Sequence, residues 1–303
     1  MAKKKHAHKK ESKFTLWQKI AMIILLLFTF IAGVILYSRY IATSKIEVRE
    51  IKVVNQNLPS DYHGFKIVQL SDIHYNTTIY KEELNKIVQN VNKMKPDIVV
   101  LTGDLFDKNT EYQENDFTDI SEALMKIDAS VGKYAITGNH DVKFTEWETV
   151  IKNSGFTNLN DTYELIYKDS YDPILIAGVS SNLNDTKNIS DKMKPTFDYM
   201  NTIKQSVEGS YQYAILLLHE PDYIKNIDYE KFDLALAGHS HHGQVRLPLI
   251  GAIITPKGAK EYYNEHYNID GTELYISNGL GTSSYPYRLF NRPSIYLYRL
   301  ETN

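Results

Sequence analysis

Five short polar runs occur in one order along the chain, and each stands directly after a stretch that reads as a β-strand. They are Asp72-Ile73-His74, Gly103-Asp104, Gly138-Asn139-His140-Asp141, His219, and Gly238-His239-Ser240-His241. The strand-like runs before them are Phe65–Leu70, Ile98–Thr102, Tyr134–Thr137, Ala214–Leu218 and Leu234–Ala237, and Ile46–Val54 and Ile174–Val179 read as two more. A fold that serves this pattern has to gather five strand ends at one edge, which is where α/β sheets form their binding crevices, beyond the carboxyl ends of the strands.

Singly each run is weak, because Asp-x-His and Gly-Asp are common at turns. Together they supply two carboxylates (Asp72, Asp104), one amide oxygen (Asn139) and four imidazoles (His74, His219, His239, His241). That mixture of oxygen and nitrogen donors suits two divalent transition-metal ions such as Mn, Fe or Zn. Ions in a two-metal site lie roughly 3.5–4 Å apart, so one ligand has to bridge them, and a carboxylate can. Asp104 is the candidate bridge. Asp72 and His74, two apart where a strand gives way to a turn, can both swing toward one ion. Asn139 offers a neutral oxygen, which limits the negative charge of the site, and His239 and His241 can be divided between the ions.

With these residues the chain resembles the calcineurin-like metallophosphoesterases, whose blocks read D-x-H, G-D, G-N-H-[DE], H and G-H-x-H. All five are present, and the resemblance spans about Phe65 to Leu300. It implies an α/β fold, a two-sheet β-sandwich flanked by helices. It also implies one metal held by Asp72, His74, Asp104 and His241 and another by Asp104, Asn139, His219 and His239. His140 is then the catalytic residue, a histidine outside both ligand sets that faces the leaving group while a metal-bridging hydroxide attacks phosphorus in line. Within the family, Gly243–Pro248 and Ser277–Thr282 resemble the branch of membrane-associated bacterial phosphohydrolases similar to UDP-2,3-diacylglucosamine pyrophosphatase. The chain departs from that branch at His242, where a glycine is common.

Other polar residues are read more plainly. His242 is a solvent-facing residue or one touching a ligand from behind, rather than a ligand. His63 and His266 stand alone, as surface or pocket-wall histidines. Asp107 and Asp222 follow strand ends and are expected to cap turns or helices. Asp141 is open between orienting the His140 ring and a structural hydrogen bond. Arg288 is open between a phosphate clamp and a solvated side chain.

Ile20 to Tyr37 is an apolar run of 18 residues broken only by Thr29 and Gly33, long enough as a helix for about 27 Å. It reads as one transmembrane helix, with Trp17 and Tyr37 at its ends where amphipathic rings favour the interface. The alternative, a cleaved signal peptide, lacks a good site, since cuts after Gly33 or Ala42 place Ile31 or Tyr40 at the position that wants a small residue. Residues 1–19 hold seven lysines against Glu11, which puts the N-terminus in the cytoplasm and residues 38–303, the expected catalytic domain, on the outer face of the cell membrane. Lys3 to Lys13 is expected to be a disordered basic arm touching anionic lipid.

Removing the tail's seven lysines and one glutamate from the overall −3 leaves −9 for residues 20–303, which argues against a nucleic-acid partner. The absence of cysteine excludes disulfides and thiolate ligands. Leu84, Ile87, Val88, Val91 and Met94 recur at helical spacing, and Asp270-Gly271 between Tyr262–Ile269 and Glu273–Ser277 reads as a two-residue hairpin turn. A phosphohydrolase tethered to a bilayer meets lipid head groups at high effective concentration, which favours a lipid diester or lipid-linked pyrophosphate as substrate. The rivals are an ecto-phosphatase or nucleotidase on soluble esters, and a membrane-anchored binding protein using its metals only for structure.

Overall fold

The computed structural model describes residues 14–168, 172–183, 185–203 and 210–303. The expected basic arm, Lys3 to Lys13, lies outside the described residues. Helix α1 (Leu16–Leu36) begins the described chain and continues through a wider-wound turn, Tyr37–Ile41. It starts four residues before the apolar run because Thr15 and Gln18 form a capping box, each side chain bonded to the other's backbone N–H. The helix Leu16–Ile41 contains an 18-residue window of mean hydropathy 2.8 and is long and apolar enough to cross a membrane. None of that apolar window is buried in the protein.

The rest folds as four layers. In chain order the strands are β1 (Glu47–Val54), β2 (Lys66–Leu70), β3 (Ile98–Thr102), β4 (Gly132–Ile136), β5 (Thr157–Asn158), β6 (Thr162–Ile166), β7 (Ile174–Gly178), β8 (Tyr213–Leu217), β9 (Leu234–Ala237), β10 (Arg246–Leu247), β11 (Gly251–Ala252), β12 (His266–Ile269), β13 (Thr272–Ile276) and β14 (Ser294–Glu301). One six-stranded sheet has the order β1-β14-β2-β3-β4-β5 and the other β12-β13-β9-β8-β7-β6, while β10 and β11 make a separate two-stranded ribbon. Helices α2 (Lys81–Met94), α3 (Glu114–Met125) and α4 (Trp147–Asn153) cover the first sheet, and α5 (Ile189–Lys192) and α6 (Lys194–Ile203) the second.

Because each sheet is covered on both sides, its inner strands are continuous apolar runs rather than alternating ones. Ile98 and Val100 enter the layer between the sheets with Ile176, Ile215 and Leu236, while Val99 and Leu101 face α2 and α3. Leu84, Ile87, Val88 and Val91 of α2 are buried, as their spacing predicts, and Lys95 in the left-handed region ends that helix. Asp270 (φ 49°) and Gly271 (φ 102°) form the two-residue turn between β12 and β13, both with the positive φ that a type I′ turn requires. The expected strand from Tyr262 starts only at His266, because the backbone amides of Tyr263 and Asn264 are taken by the Tyr267 hydroxyl instead of a ladder. Strand β14, which sequence patterning missed, lies between β1 and β2, second from the edge of the first sheet.

Candidate metal centre

The five motif loops leave the carboxyl ends of β2, β3, β4, β8 and β9 and converge at one edge of the sandwich. Their glycines are explained by how closely the loops back onto one another. A Cβ on Gly103 would stand 2.5 Å from His219 Nδ1 and 2.6 Å from Gly138 N. One on Gly238 would stand 2.7 Å from Asp72 Oδ2, and one on Gly138 would collide with the Asp104 side chain. The polar residues are bent to suit as well: Asp72, His74, Asp104, His239 and His241 all have positive φ. Such backbone strain persists only where the surroundings over-determine it and it gathers at functional sites.

Two groups of side chains result. In the first, His241 Nε2 is 3.4 Å from Asp72 Oδ1 and 3.1 Å from His74 Nε2, and His74 Nε2 is 3.6 Å from Asp104 Oδ2. In the second, His219 Nε2 is 3.2 Å from that same Asp104 Oδ2, and Asp104, His219 and His239 bring ligand atoms within 4.8 Å of one another. Donors about 2.0–2.2 Å from a shared ion are separated from one another by such distances. Asp104 belongs to both groups.

The tautomers of the imidazoles agree with ion binding. His219 Nδ1 lies 2.7 Å from the Thr102 carbonyl oxygen, so it carries the hydrogen and leaves Nε2 basic. His239 Nε2 lies 2.8 Å from the Lys257 carbonyl oxygen, leaving Nδ1 basic. Among the described residues, His219 Nε2 and Asn139 Oδ1 are buried without a hydrogen-bond partner, an arrangement costing about 1–3 kcal/mol per group unless something fills it. Both are electron-pair donors, and a divalent cation would satisfy both.

The electrostatics call for positive charge. Burial would lower the pKa of His219, but Asp104, Asp72 and Glu220 raise it well above the ordinary value. Burial would raise Asp104, but His219, His140 and His74 hold it well below the usual carboxylate range. His239 and His241 are pushed down, by burial and then by His219 and His74 respectively. Two buried carboxylates thus stand among these rings, in groups that could hold a metal ion.

His140 is buried beside the first group, with its ring edge-on to His74. Burial works against its charged form, but Asp104 and Asp107 raise its pKa on balance. The carboxylate that orients it is Asp107, whose Oδ2 is 3.2 Å from both His140 Nδ1 and His74 Nδ1. Asp107 also caps its turn, accepting from Asn109 N at 2.8 Å, so the sequence reading saw only half of its role. The available signal was a second carboxylate, three positions after Asp104, in the same strand-end loop. Asp141 orients nothing on His140; it accepts the backbone N–H groups of Asp104, Gly138 and Phe106 at 2.7, 2.8 and 3.0 Å. It thereby pins the β3 and β4 loops together.

Arg288 is neither a phosphate clamp nor solvated. It is fully buried and donates to the carbonyls of Asn278, Gly279 and Gly281, with Nη2 3.3 Å from His241 Nδ1. Those carbonyls belong to the 277–282 stretch, whose Leu280 N and Gly281 N donate to Ser71 O and Asp72 O at 3.0 and 2.7 Å, so Arg288 holds the loop that holds Asp72. His242 is buried, with Nε2 2.7 Å from Ile276 O, and burial lowers its pKa to about 4. Asp222 caps the 260–262 backbone, while His63 and His266 lie at the surface.

A cavity of about 810 Å³ adjoins the centre. Asp104, Asn139, His140, His239 and His241 form one part of its wall, Val245, Ile253 and Ile254 another, and Val34, Ile35 and Ser38 of the N-terminal helix a third. Lys108, Tyr285 and Tyr287 also line it.

Residues 65–243 match the family described as calcineurin-like phosphoesterase. The uncharacterized metallophosphoesterase YkuE of Bacillus subtilis (strain 168) is 33% identical over 270 residues, 88% of this chain and 89% of that protein. The uncharacterized metallophosphoesterase YkoQ of the same organism is 26% identical, covering 95% of this chain and all of its own length. A Danio rerio protein named transmembrane protein with metallophosphoesterase domain is 27% identical over 82% of this chain, which spans 56% of that relative.

Proposed function

Because the chain belongs to the calcineurin-like phosphoesterase family and is a metal-dependent phosphohydrolase, we propose that it cleaves a phosphodiester or pyrophosphate bond in a lipid or lipid-linked substrate. One observation carries the lipid reading: the cavity at the candidate centre shares a wall with Val34 and Ile35 of the apolar helix. A substrate phosphate reaching the centre from that side has its apolar part against α1, where a membrane-crossing helix meets lipid. The resemblance of Gly243–Pro248 and Ser277–Thr282 to the branch of membrane-associated bacterial phosphohydrolases similar to UDP-2,3-diacylglucosamine pyrophosphatase supports the same reading.

Asp72, His74, Asp104 and His241 would hold one ion and Asp104, Asn139, His219 and His239 the other, with Mn, Fe or Zn all suited to these donors. When bound, the ions supply a nucleophile from water at neutral pH and neutralise charge on the phosphoryl oxygens. His140 donates a proton to the departing oxygen, since its ring lies at the cavity and the Asp107 carboxylate favours its charged form. Asp107 acts through His140 and His74 as a positioning residue.

Purified full-length protein incubated with a bacterial lipid extract is expected to deplete a phosphate-bearing lipid, read by mass spectrometry. With synthetic esters it should hydrolyse bis-p-nitrophenyl phosphate faster than the monoester. Inert lipids together with preference for the monoester would replace this reading with that of an ecto-phosphatase.

Residues 20–37 would then be the membrane span, with residues 1–19 in the cytoplasm and 38–303 as the catalytic domain outside. Protease added to intact cells should digest residues beyond about 45 and spare a tag placed before Lys3. Recovery of a soluble form beginning after Gly33 or Ala42 would identify a signal peptide instead.

A further inference from the structure

Leu247-Pro248-Leu249-Ile250-Gly251-Ala252-Ile253-Ile254 contains no charged or hydrogen-bonding side chain. In a soluble domain such a run is expected in the core, yet here it forms the β10–β11 ribbon on the surface. Arg246 pairs with Ala252 and Leu247 with Gly251, leaving Pro248, Leu249 and Ile250 as the tip. Leu249 is fully exposed at 108% and Ile250 is exposed at 72%. Leu249 also has φ +68°, a conformation that turns ordinarily fill with Gly, Asn or Asp. A large apolar side chain is thus held out from the protein at a position whose backbone favours a small or polar one.

We propose that this ribbon is seated in the lipid bilayer beside α1, as a second contact between the protein and the membrane. Continuity with the helix identifies the occupant. Ile253 and Ile254, at the base of the ribbon, line the same cavity as Val34, Ile35 and Ser38, so the ribbon lies at the level of the last turns of α1. The backbone ties them together: Arg288 N donates to Ser38 O at 3.0 Å and Arg246 N to Leu289 O at 2.9 Å. Since α1 (Leu16–Leu36) spans about 31 Å, close to the hydrocarbon thickness, its last turns lie at the edge of the hydrocarbon. Tyr285 and Phe290, also exposed on the loop beside the ribbon, fit the level of the head groups where aromatic rings collect. Exposed apolar surface gathered this way marks an interaction site, and a polar partner would not match it. The seated ribbon turns the mouth of the cavity toward the membrane.

The proposal rests on α1 being a membrane anchor, and its test reads depth without reference to hydrolysis. The chain has no cysteine, so single cysteines can carry a nitrobenzoxadiazole label on the full-length protein. Leu249→Cys and Ile254→Cys probe the ribbon and Leu26→Cys probes α1. Asp128→Cys, exposed before β4 at the sheet end away from the metal centre, serves as the control. In nanodiscs of phosphatidylethanolamine and phosphatidylglycerol holding one copy each, labels at 26, 249 and 254 should emit at shorter wavelength and be quenched by brominated acyl chains. The label at 128 should be quenched by aqueous iodide alone. A label at 26 quenched by lipid while those at 249 and 254 follow iodide would overturn the ribbon proposal and leave the anchor standing. Iodide quenching at all four sites would overturn both. Shielding of 249 in discs holding two copies but not in those holding one would show that a second copy covers the ribbon, which also overturns the proposal.

Discussion

Asp104→Ala is expected to lose both metal ions and to cut phosphoester hydrolysis by more than about 10³, since ions at a two-metal site supply several kcal/mol of transition-state stabilisation. Its Oδ2 lies 3.2 Å from His219 Nε2 and 3.6 Å from His74 Nε2, so it is the one carboxylate common to both groups. Its Oδ1 also accepts from His140 N at 2.8 Å, so alanine releases the loop that carries Asn139 and His140. Without it, two cations would face each other across a gap with less negative charge between them. Elemental analysis of the purified variant decides the matter, and two ions retained per chain would refute the bridging assignment. Asp104→Asn separates charge from shape: it keeps an oxygen for His140 N but should still fail to hold two ions.

His140→Ala should retain both metals and lower turnover by about 10²–10⁴, the usual contribution of a positioned general acid. His140 lies against His74 and Asp104 but belongs to neither proposed ligand set, and Asp72, His74, Asp104, Asn139, His219, His239 and His241 all remain in the variant. The deficit should be smallest on p-nitrophenyl esters, whose leaving oxygen needs no proton, and largest on alkyl esters. Equal slowing on both series would remove His140 from the role of acid. Asp107→Asn should reproduce a milder form of the same pattern, about 10–100-fold, because it weakens the orientation of the ring without removing it.

The order of the motifs and the strand ends they follow were legible because buried parallel strands leave continuous apolar runs, visible in any window of five residues. Ile98–Thr102 and Leu234–Ala237 match observed strands residue for residue. The Asp270-Gly271 turn was legible for an equally local reason, since both positions need positive φ. Strand β14 was not, although it is an inner strand of the first sheet. Its place between β1 and β2 depends on pairing with segments more than two hundred residues earlier, and no local pattern records that.

Among the site residues, the sequence by itself determined the donor types and their order, because each donor lies within a few residues of a strand end and glycine marks where loops crowd. Only the tertiary structure decided that Asp107 rather than Asp141 supports His140, since the choice turns on which carboxylate a neighbouring loop leaves free. Asp141 is consumed by three backbone amides, and Asp107 keeps an oxygen for two rings. The fate of Arg288 was likewise undecidable from Tyr-Pro-Tyr-Arg, which reads as a surface turn. Its burial depends on three carbonyls that the 277–282 loop turns inward, and carbonyl direction is a property of the folded backbone rather than of residue type. The same holds for the cavity wall shared by α1 and the metal centre: apolarity of each segment is written locally, but their adjacency exists only once the chain has closed.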